Sequence, residues 1–149
     1  DQEQILPTIR SRTQIFQFKK QVANLMVELE KAGLVKNKAR LLAEFSQSQA
    51  EAEKLINQPS FWTLVEESER FFAWLETGKK EAYLQVAKLA NLADDKEKQD
   101  QVFRILEVLA GQEILKNSAR RILQNLVEAR RIWKANVSFQ NALENLVLQ

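Results

Sequence analysis

Residues that interrupt helices are scarce along this chain. Only three glycines and two prolines occur among its 149 residues, and 45% of the side chains are apolar. Leucine, alanine, glutamate, lysine and glutamine dominate, and these side chains lose little rotamer freedom when they enter a helix. The composition therefore predicts an all-α fold with enough apolar surface to build a core.

The chain contains no cysteine and no histidine. Disulfides, thiolate metal sites, and nucleophiles of the Ser-His or Cys-His kind are therefore excluded within it. The carboxylates are scattered through helical patterns, which is more typical of a solvated surface than of a catalytic pair. We expect no independent enzymatic activity and no cofactor or metal bound by this chain.

Charge and hydropathy limit the possible partners. The net charge is +2 and no long basic block appears, so strong non-specific DNA binding by the chain alone is not expected. No apolar run approaches the length of a membrane span. The lack of cysteine fits a reducing compartment, and we expect a cytoplasmic protein with no membrane partner.

The patterning predicts a short irregular start followed by two groups of helices. Residues 7–12 fit one helical turn, and residues 13–18 (TQIFQF) fit a brief strand. Three helical segments then lead to Pro59, with Gly33 as a helix end and with Ser48 and Glu51 as a capping box. Five more helices follow, at 59–77, 78–93, 94–111, 117–137 and 138–149, where Gly111 is expected to end the third and Ser138 to cap the last.

The string ILPTIRSRTQIFQF at residues 5–18 is the least helix-like part of the sequence. Taken alone, its arginines fit an exposed turn. The whole string, however, resembles bacterial clamp-loader subunits of the AAA+ family, which carry Leu-Pro-Thr-Ile/Val-Arg-Ser-Arg-Cys at this point. The chain departs from that pattern at Thr13, where the family has cysteine.

The resemblance implies a role for Arg12 and its neighbour Ser11. In clamp loaders the arginine at the position of Arg12 is an arginine finger, which reaches ATP and its Mg²⁺ on an adjacent subunit. A planar, permanently charged guanidinium suits that role because it can bind phosphate oxygens in pairs. Arg10 is expected to support the motif or to keep the turn solvated.

The end of the chain carries a second resemblance. Residues 128–149 (EARRIWKANVSFQNALENLVLQ) are similar to the closing segment of clamp-loader subunits of the delta-prime type of DNA polymerase III. The matching residues are Ala135, Asn136, Val137, Gln140, Ala142, Leu143, Glu144, Asn145 and Leu146. Ser138 and Phe139 replace the Asn-Pro of that family, and Asn141 replaces its first Leu.

Together, the two resemblances imply a domain organisation. Residues 1–19 would be the end of an AAA+ base domain whose remainder is absent, 20–58 a three-helix AAA+ lid, and 59–149 a five-helix collar. The collar would bind other clamp-loader subunits, of the gamma/tau and delta types. The sliding clamp and primed DNA would be partners of the whole complex during DNA replication.

The sequence of the lid segment favours one type of clamp-loader subunit over another. ATP-hydrolysing relatives carry a sensor-2 arginine in the third lid helix, where an ungapped alignment places Ala50, followed by Ala52. No arginine occurs between Arg40 and Arg70, which favours the non-hydrolysing delta-prime type over the gamma/tau type. A stand-alone helical interaction module, in which the Ser-Arg string is an accidental turn, remains an alternative of a different class.

The long helix at 117–137 has one apolar face. A helical wheel centres that face on Ile122, Leu126, Ala129 and Trp133 and puts Arg120, Arg121, Gln124, Glu128 and Arg131 opposite. The polar side predicts a solvated face or a subunit contact rather than a phosphate track. Arg130 lies at the edge of the apolar arc, where we expect it to snorkel or to pair with a carboxylate, with Glu144 as the candidate.

Overall fold

A computed structural model describes residues 20–149. Within that range the chain folds into eight helices and no strand, so the predicted all-α class is confirmed. The helical turn at 7–12, the strand at 13–18, and the residues Ser11 and Arg12 lie outside the described residues.

The helices follow one another with short connections. Helix α1 occupies 20–31 of the described range. The remaining helices are α2 (Lys36–Phe45), α3 (Gln49–Ile56), α4 (Pro59–Thr77), α5 (Ala82–Leu92), α6 (Lys96–Gln112), α7 (Asn117–Lys134) and α8 (Phe139–Leu148).

The chain divides into two compact units, Asp1–Ile56 and Asn57–Gln149. The division lies two residues before the boundary that the sequence predicts at 58/59. In the first unit α2 packs against α3, and the buried side chains include Leu42, Phe45 and Leu55. The second unit contains α4 to α8.

Three helices end in the same local motif. Gly33, Gly78 and Asn136 have φ values of 103°, 67° and 67°. The amide of each donates to the carbonyl three residues earlier at 3.0–3.4 Å, and the next amide donates to the carbonyl five residues before it at 3.1–3.4 Å. This is the Schellman arrangement, which satisfies carbonyls at a helix end through one left-handed residue.

Side chains cap several helix starts. Ser48, Asp95 and Ser138 each accept a hydrogen bond from the backbone amide three residues further on, at 2.8–3.1 Å. The predicted caps at Ser48 and Ser138 are therefore confirmed. Glu51 completes the first cap by accepting from the amide of Gln47 at 2.9 Å. A capping side chain satisfies an amide that has no carbonyl partner within its helix.

Two of the predicted helix bounds are wrong. Helix α6 continues through Gly111 to Gln112, and Gly111 does not adopt a positive φ. Helix α5 begins at Ala82 rather than at Gly78, because Gly78 serves as the left-handed end of α4. A glycine permits a helix end but does not impose one.

Helix α6 packs against α4 and α7, which also contact each other. Helix α8 packs against α5 and α7, and α4 packs against α5. Phe103 of α6 is fully buried, with its ring centroid 5.3 Å from that of Trp133 and 5.6 Å from that of Phe139. Edge-on and tilted ring contacts of this kind contribute beyond simple area burial. One aromatic cluster thus joins α6, α7 and α8.

The aromatic side chains of α4 are buried or half-buried, as expected for residues of a core. Phe61, Phe71 and Phe72 are buried, while Trp62 and Trp74 are half-buried. The same helix carries Glu66, Glu67 and Glu69, as the sequence shows. The stripe is therefore a packing surface rather than a platform for stacking bases, which needs basic neighbours.

Candidate interaction surface and its supporting clusters

The arginine-finger candidates lie outside the described residues. The structure therefore gives no geometry for Ser11, Arg12 or Arg10. The two positions compared with the sensor-2 motif are described: Ala52 is fully buried in α3 and Ala50 is exposed. Lys54 is the only cation of this helix, so α3 carries no guanidinium of the sensor-2 kind.

Arg130 joins α7 to α6. Its NH1 group donates to Glu107 at 2.6 Å, and its NH2 group donates to Asp100. The guanidinium lies 5.9 Å from the centre of the Phe103 ring, and only 21% of the side chain is exposed. Burial lowers the pKa of Arg130, but the two carboxylates outweigh burial and raise it above its ordinary value.

The predicted partner of Arg130 was wrong. The expectation of a carboxylate pair is confirmed, but Glu144 instead accepts a hydrogen bond from Gln140 of its own helix at 3.1 Å. Sequence reasoning missed Asp100 and Glu107. A signal existed, because Asp100, Phe103 and Glu107 have the spacing i, i+3, i+7 that puts side chains on one helix face. Which helix would face them was not visible in the sequence.

Glu67 of α4 is a buried carboxylate with several donors. Its side chain is 8% exposed, and it accepts from the amide nitrogen of Gln85 while Lys88 lies 3.0 Å and Arg70 3.4 Å away. Gln85 also donates to the backbone carbonyl of Glu67 at 3.0 Å. Burial raises the pKa of Glu67, but the hydrogen bond from Gln85 and the charge of Lys88 reverse this, and the net pKa is lowered. The cluster joins α4 to α5.

The surroundings of Glu76 shift its pKa in the opposite direction from that of Glu67. Burial and the nearby Glu113 carboxyl raise the pKa of Glu76, and Lys116 and Ser118 offset this only in part. Lys116 lies 3.9 Å from Glu76 and 3.3 Å from Glu113. Ser118 donates to Glu76 at 3.3 Å. These contacts tie the end of α4 to the connection between α6 and α7.

The polar side of α7 is open to solvent. Arg120, Arg121 and Arg131 are exposed, as the wheel predicts. Arg131 makes a two-pronged pair with Glu128 at 3.0 and 2.6 Å. Because this pair forms within α7, the guanidinium of Arg131 is already engaged by its own helix. This is consistent with a solvated face or a polar contact.

The second unit also exposes large apolar side chains. Leu115 is 92% exposed, Leu84 74%, Leu148 73% and Val127 69%. They belong to α5, α7, α8 and the connection between α6 and α7. Exposed apolar side chains scattered singly are normal on soluble proteins, whereas a contiguous exposed patch is more typical of a surface that contacts another protein. We name the four residues the exposed apolar set.

Metal binding finds no support in the described part of the chain. Among residues 20–149, no group of three or more Asp or Glu side chains is placed to hold a metal ion.

None of the helices within residues 20–149 combines the length and the apolar character that a membrane crossing requires.

Comparisons of the chain with models of protein families, with curated proteins and with solved structures found no significant match.

Proposed function

We propose that the chain is a non-hydrolysing subunit of a bacterial replicative clamp loader, of the delta-prime type of DNA polymerase III. In this proposal residues 20–58 are an AAA+ lid, and residues 59–149 are a collar that assembles with gamma/tau and delta subunits. Arg12 acts in trans on ATP and Mg²⁺ held by a neighbouring subunit. The complex, rather than this chain alone, handles the sliding clamp and primed DNA.

The observation that carries the proposal is the string LPTIRSRT at residues 6–13. It fixes a proline, two arginines and a serine in the order that clamp-loader subunits use for their arginine finger. No packing requirement of a helical bundle calls for that order. The resemblance of the closing segment supports the same family from the opposite end of the chain.

The described geometry is compatible with the closing resemblance at the level of single positions. Asn136 occupies a left-handed conformation, and Ser138 caps α8. Ala142, Leu143 and Leu146 are buried in the second unit. The matching positions thus include those that need a special backbone conformation and those that need an apolar side chain, while Glu144 and Asn145 remain partly exposed.

The second unit offers surface for assembly. The exposed apolar set would be covered when neighbouring collars pack together, because removing apolar area from water is the main driving force of such association. The polar face of α7 would provide the rim. In this arrangement the chain positions Arg12 and needs no nucleotide of its own.

The chemical role of Arg12 follows from phosphoryl transfer. Negative charge redistributes over the phosphoryl oxygens and the leaving oxygen as the bond to the γ-phosphate breaks, and a guanidinium placed there stabilises the transition state. In well-studied systems such a residue contributes on the order of 10³–10⁵ in rate. Lysine would keep the charge but lose the paired hydrogen bonds.

The test uses the full-length gene product assembled with the gamma/tau and delta subunits of the same organism. Arg12→Ala is expected to leave assembly intact and to abolish clamp- and DNA-stimulated ATP turnover at the one site next to this subunit. Arg12→Lys should recover little of that turnover. The measurements are size-exclusion chromatography for assembly and single-turnover ATP hydrolysis for the site.

Arg10→Ala is the matched control, because it removes the same side chain two residues earlier. We expect it to retain most of the turnover. Equal losses in both variants would contradict a specific role of Arg12. Failure of the chain to enter the complex would favour the stand-alone interaction module. A phosphate-binding loop ending in Gly-Lys-Ser/Thr upstream in the same gene would favour the gamma/tau type.

A further inference from the structure

A cleft of about 150 Å³ opens on the second unit. Its walls come from the end of α4, the turn and first residues of α5, the first half of α7, and the end of α8. The volume is below the roughly 300–1,000 Å³ of pockets that enclose a small molecule. A site of this size holds one large side chain rather than a whole cofactor.

The cleft has an apolar floor. Leu75, Ile122 and Leu146 line it and are themselves 8%, 3% and 4% exposed, so they form part of the core beneath the cleft. Two aromatic side chains also line the cleft. Trp74 is half-buried, and Tyr83 is 42% exposed. An apolar group entering the cleft would therefore be removed from water on several sides.

The rim is cationic. Lys79, Lys80 and Arg121 line the cleft, and its lining contains no Asp or Glu side chain. All three are exposed. Within residues 20–149, none of them has a carboxylate at ion-pair distance. Arg130 and Arg131, in contrast, are both paired with carboxylates.

The lysines are held at the cleft by the end of α4. Gly78 adopts φ 67°, and the amide of Lys79 donates to the carbonyl of Trp74 at 3.1 Å. This fixed turn brings Lys79 and Lys80 to the same opening as Arg121 of α7. Positive charge from two separate elements is thus focused over one apolar depression.

We infer that this cleft binds an acidic peptide segment of a partner protein through one large apolar side chain. That side chain would occupy the apolar floor, and Asp or Glu residues beside it would pair with Lys79, Lys80 and Arg121. An anchor in a pocket surrounded by a polar rim is the usual energetic layout of such contacts.

Charge and shape favour a peptide over nucleic acid. Strong binding of DNA commonly uses about 6–10 phosphate contacts, whereas this cleft presents three cations. The apolar floor of Leu75, Ile122 and Leu146 suits an apolar side chain, and the amide side chains that could read a base edge in the lining are limited to Asn125 and Gln149. This inference does not depend on the proposed clamp-loader function, because the chain need not be in a complex to bind such a segment.

The experiment screens the 149-residue chain against a display library of random nine-residue peptides. The enriched sequences are expected to combine Asp or Glu with one Leu, Phe or Trp. A synthetic peptide of the enriched sequence, labelled with fluorescein, then gives a dissociation constant from fluorescence anisotropy. Arg121→Glu is expected to weaken binding by about tenfold, since it replaces an attraction by a repulsion.

Arg120→Glu is the matched control, since Arg120 is the adjacent exposed residue and does not line the cleft. We expect it to change the affinity by less than about twofold, as for an exposed charge away from the contact. Tyr83→Ala should weaken binding by removing one aromatic wall. Circular dichroism checks that each variant is folded.

Three results would overturn the inference. The first is an enriched set with no excess of acidic residues, or no enrichment at all. The second is equal peptide affinity for Arg121→Glu and Arg120→Glu. The third is a fluorescein-labelled thymidine 15-mer that binds more tightly than any peptide and is lost in Arg121→Glu, which would make the cleft a nucleic-acid site.

Discussion

At the scale of single residues, Glu67 and Glu76 show how neighbours decide the state of a partly buried carboxylate on the same helix. Burial raises the pKa of both. Around Glu67, the amide of Gln85 and the ammonium of Lys88 outweigh burial, and the pKa is lowered. Around Glu76, Glu113 adds to burial and the pKa is raised. Glu67 therefore stabilises the folded chain when its carboxylate is charged, and Glu76 does so when its carboxyl group is neutral.

The substitution Glu67→Gln tests the first of these effects. We expect it to lower the free energy of unfolding at pH 7 by about 1–2 kcal/mol, because a charged acceptor inside the packing is lost. The folded-state pKa lies below the ordinary value of 4.5. The stabilisation is therefore present above that value and is lost as the pH falls through the lowered pKa. Urea unfolding of both chains at several pH values measures the difference.

Glu66→Gln provides the control for this prediction. Glu66 precedes Glu67 on the same helix and is exposed, so its substitution should change stability by less than about 0.5 kcal/mol. A difference between wild type and Glu67→Gln that grew as the pH fell would contradict the assigned sign. The result would then mean that burial, rather than the donors, decides the charge of Glu67.

At the scale of helices, the sequence predicts local features well and partners poorly. The caps at Ser48 and Ser138 and the left-handed Gly33 depend on neighbours within about five residues, and all three were predictable. Arg130 depends on α6, some 23–30 residues earlier in the chain. Its need for a carboxylate was predictable from its place on the wheel. The identity of that carboxylate required knowledge of which helices pack together.

The clamp formed by Arg130 should contribute directly to the packing of α7 on α6. Arg130→Ala is expected to lower the free energy of unfolding by about 2–3 kcal/mol, since it leaves Asp100 and Glu107 without their partner. The value is below that of a fully buried pair because water reaches these carboxylates, whose side chains are 37% and 35% exposed. The midpoint of urea unfolding, with the m-value held constant, gives the change.

Two companion variants make this prediction specific. Glu144→Gln should leave stability within about 0.5 kcal/mol, because within residues 20–149 Glu144 accepts only from Gln140 of its own helix. Arg130→Lys should lie between wild type and Arg130→Ala, since lysine keeps the charge but cannot reach two carboxylates with a planar fork. If Glu144→Gln cost as much as Arg130→Ala, the partner expected from the sequence would have been the right one after all.

At the scale of the whole chain, the number of helices and their order could be predicted, but their arrangement could not. The apolar patterns show that each helix buries a face, yet they do not show that α6 packs against both α4 and α7. Its residues from Asp100 to Ala110 are all buried or partly buried. The cleft was missed for the same reason. Arg121 is distant in sequence from Lys79 and Lys80, and the three meet only through the packing of α4, α5 and α7.

The aromatic cluster and the division at 56/57 lead to a prediction about the second unit alone. Its helices α4 to α8 pack on one another, and Phe103, Leu106, Leu126 and Leu143 are fully buried there. A fragment of residues 57–149 should therefore fold by itself, with a helical circular dichroism spectrum and a single cooperative thermal transition. Its Phe103→Ala variant should lose about 3–5 kcal/mol of stability. A fragment that is helical but lacks the near-ultraviolet signal of packed aromatic rings would show that this core needs the first unit.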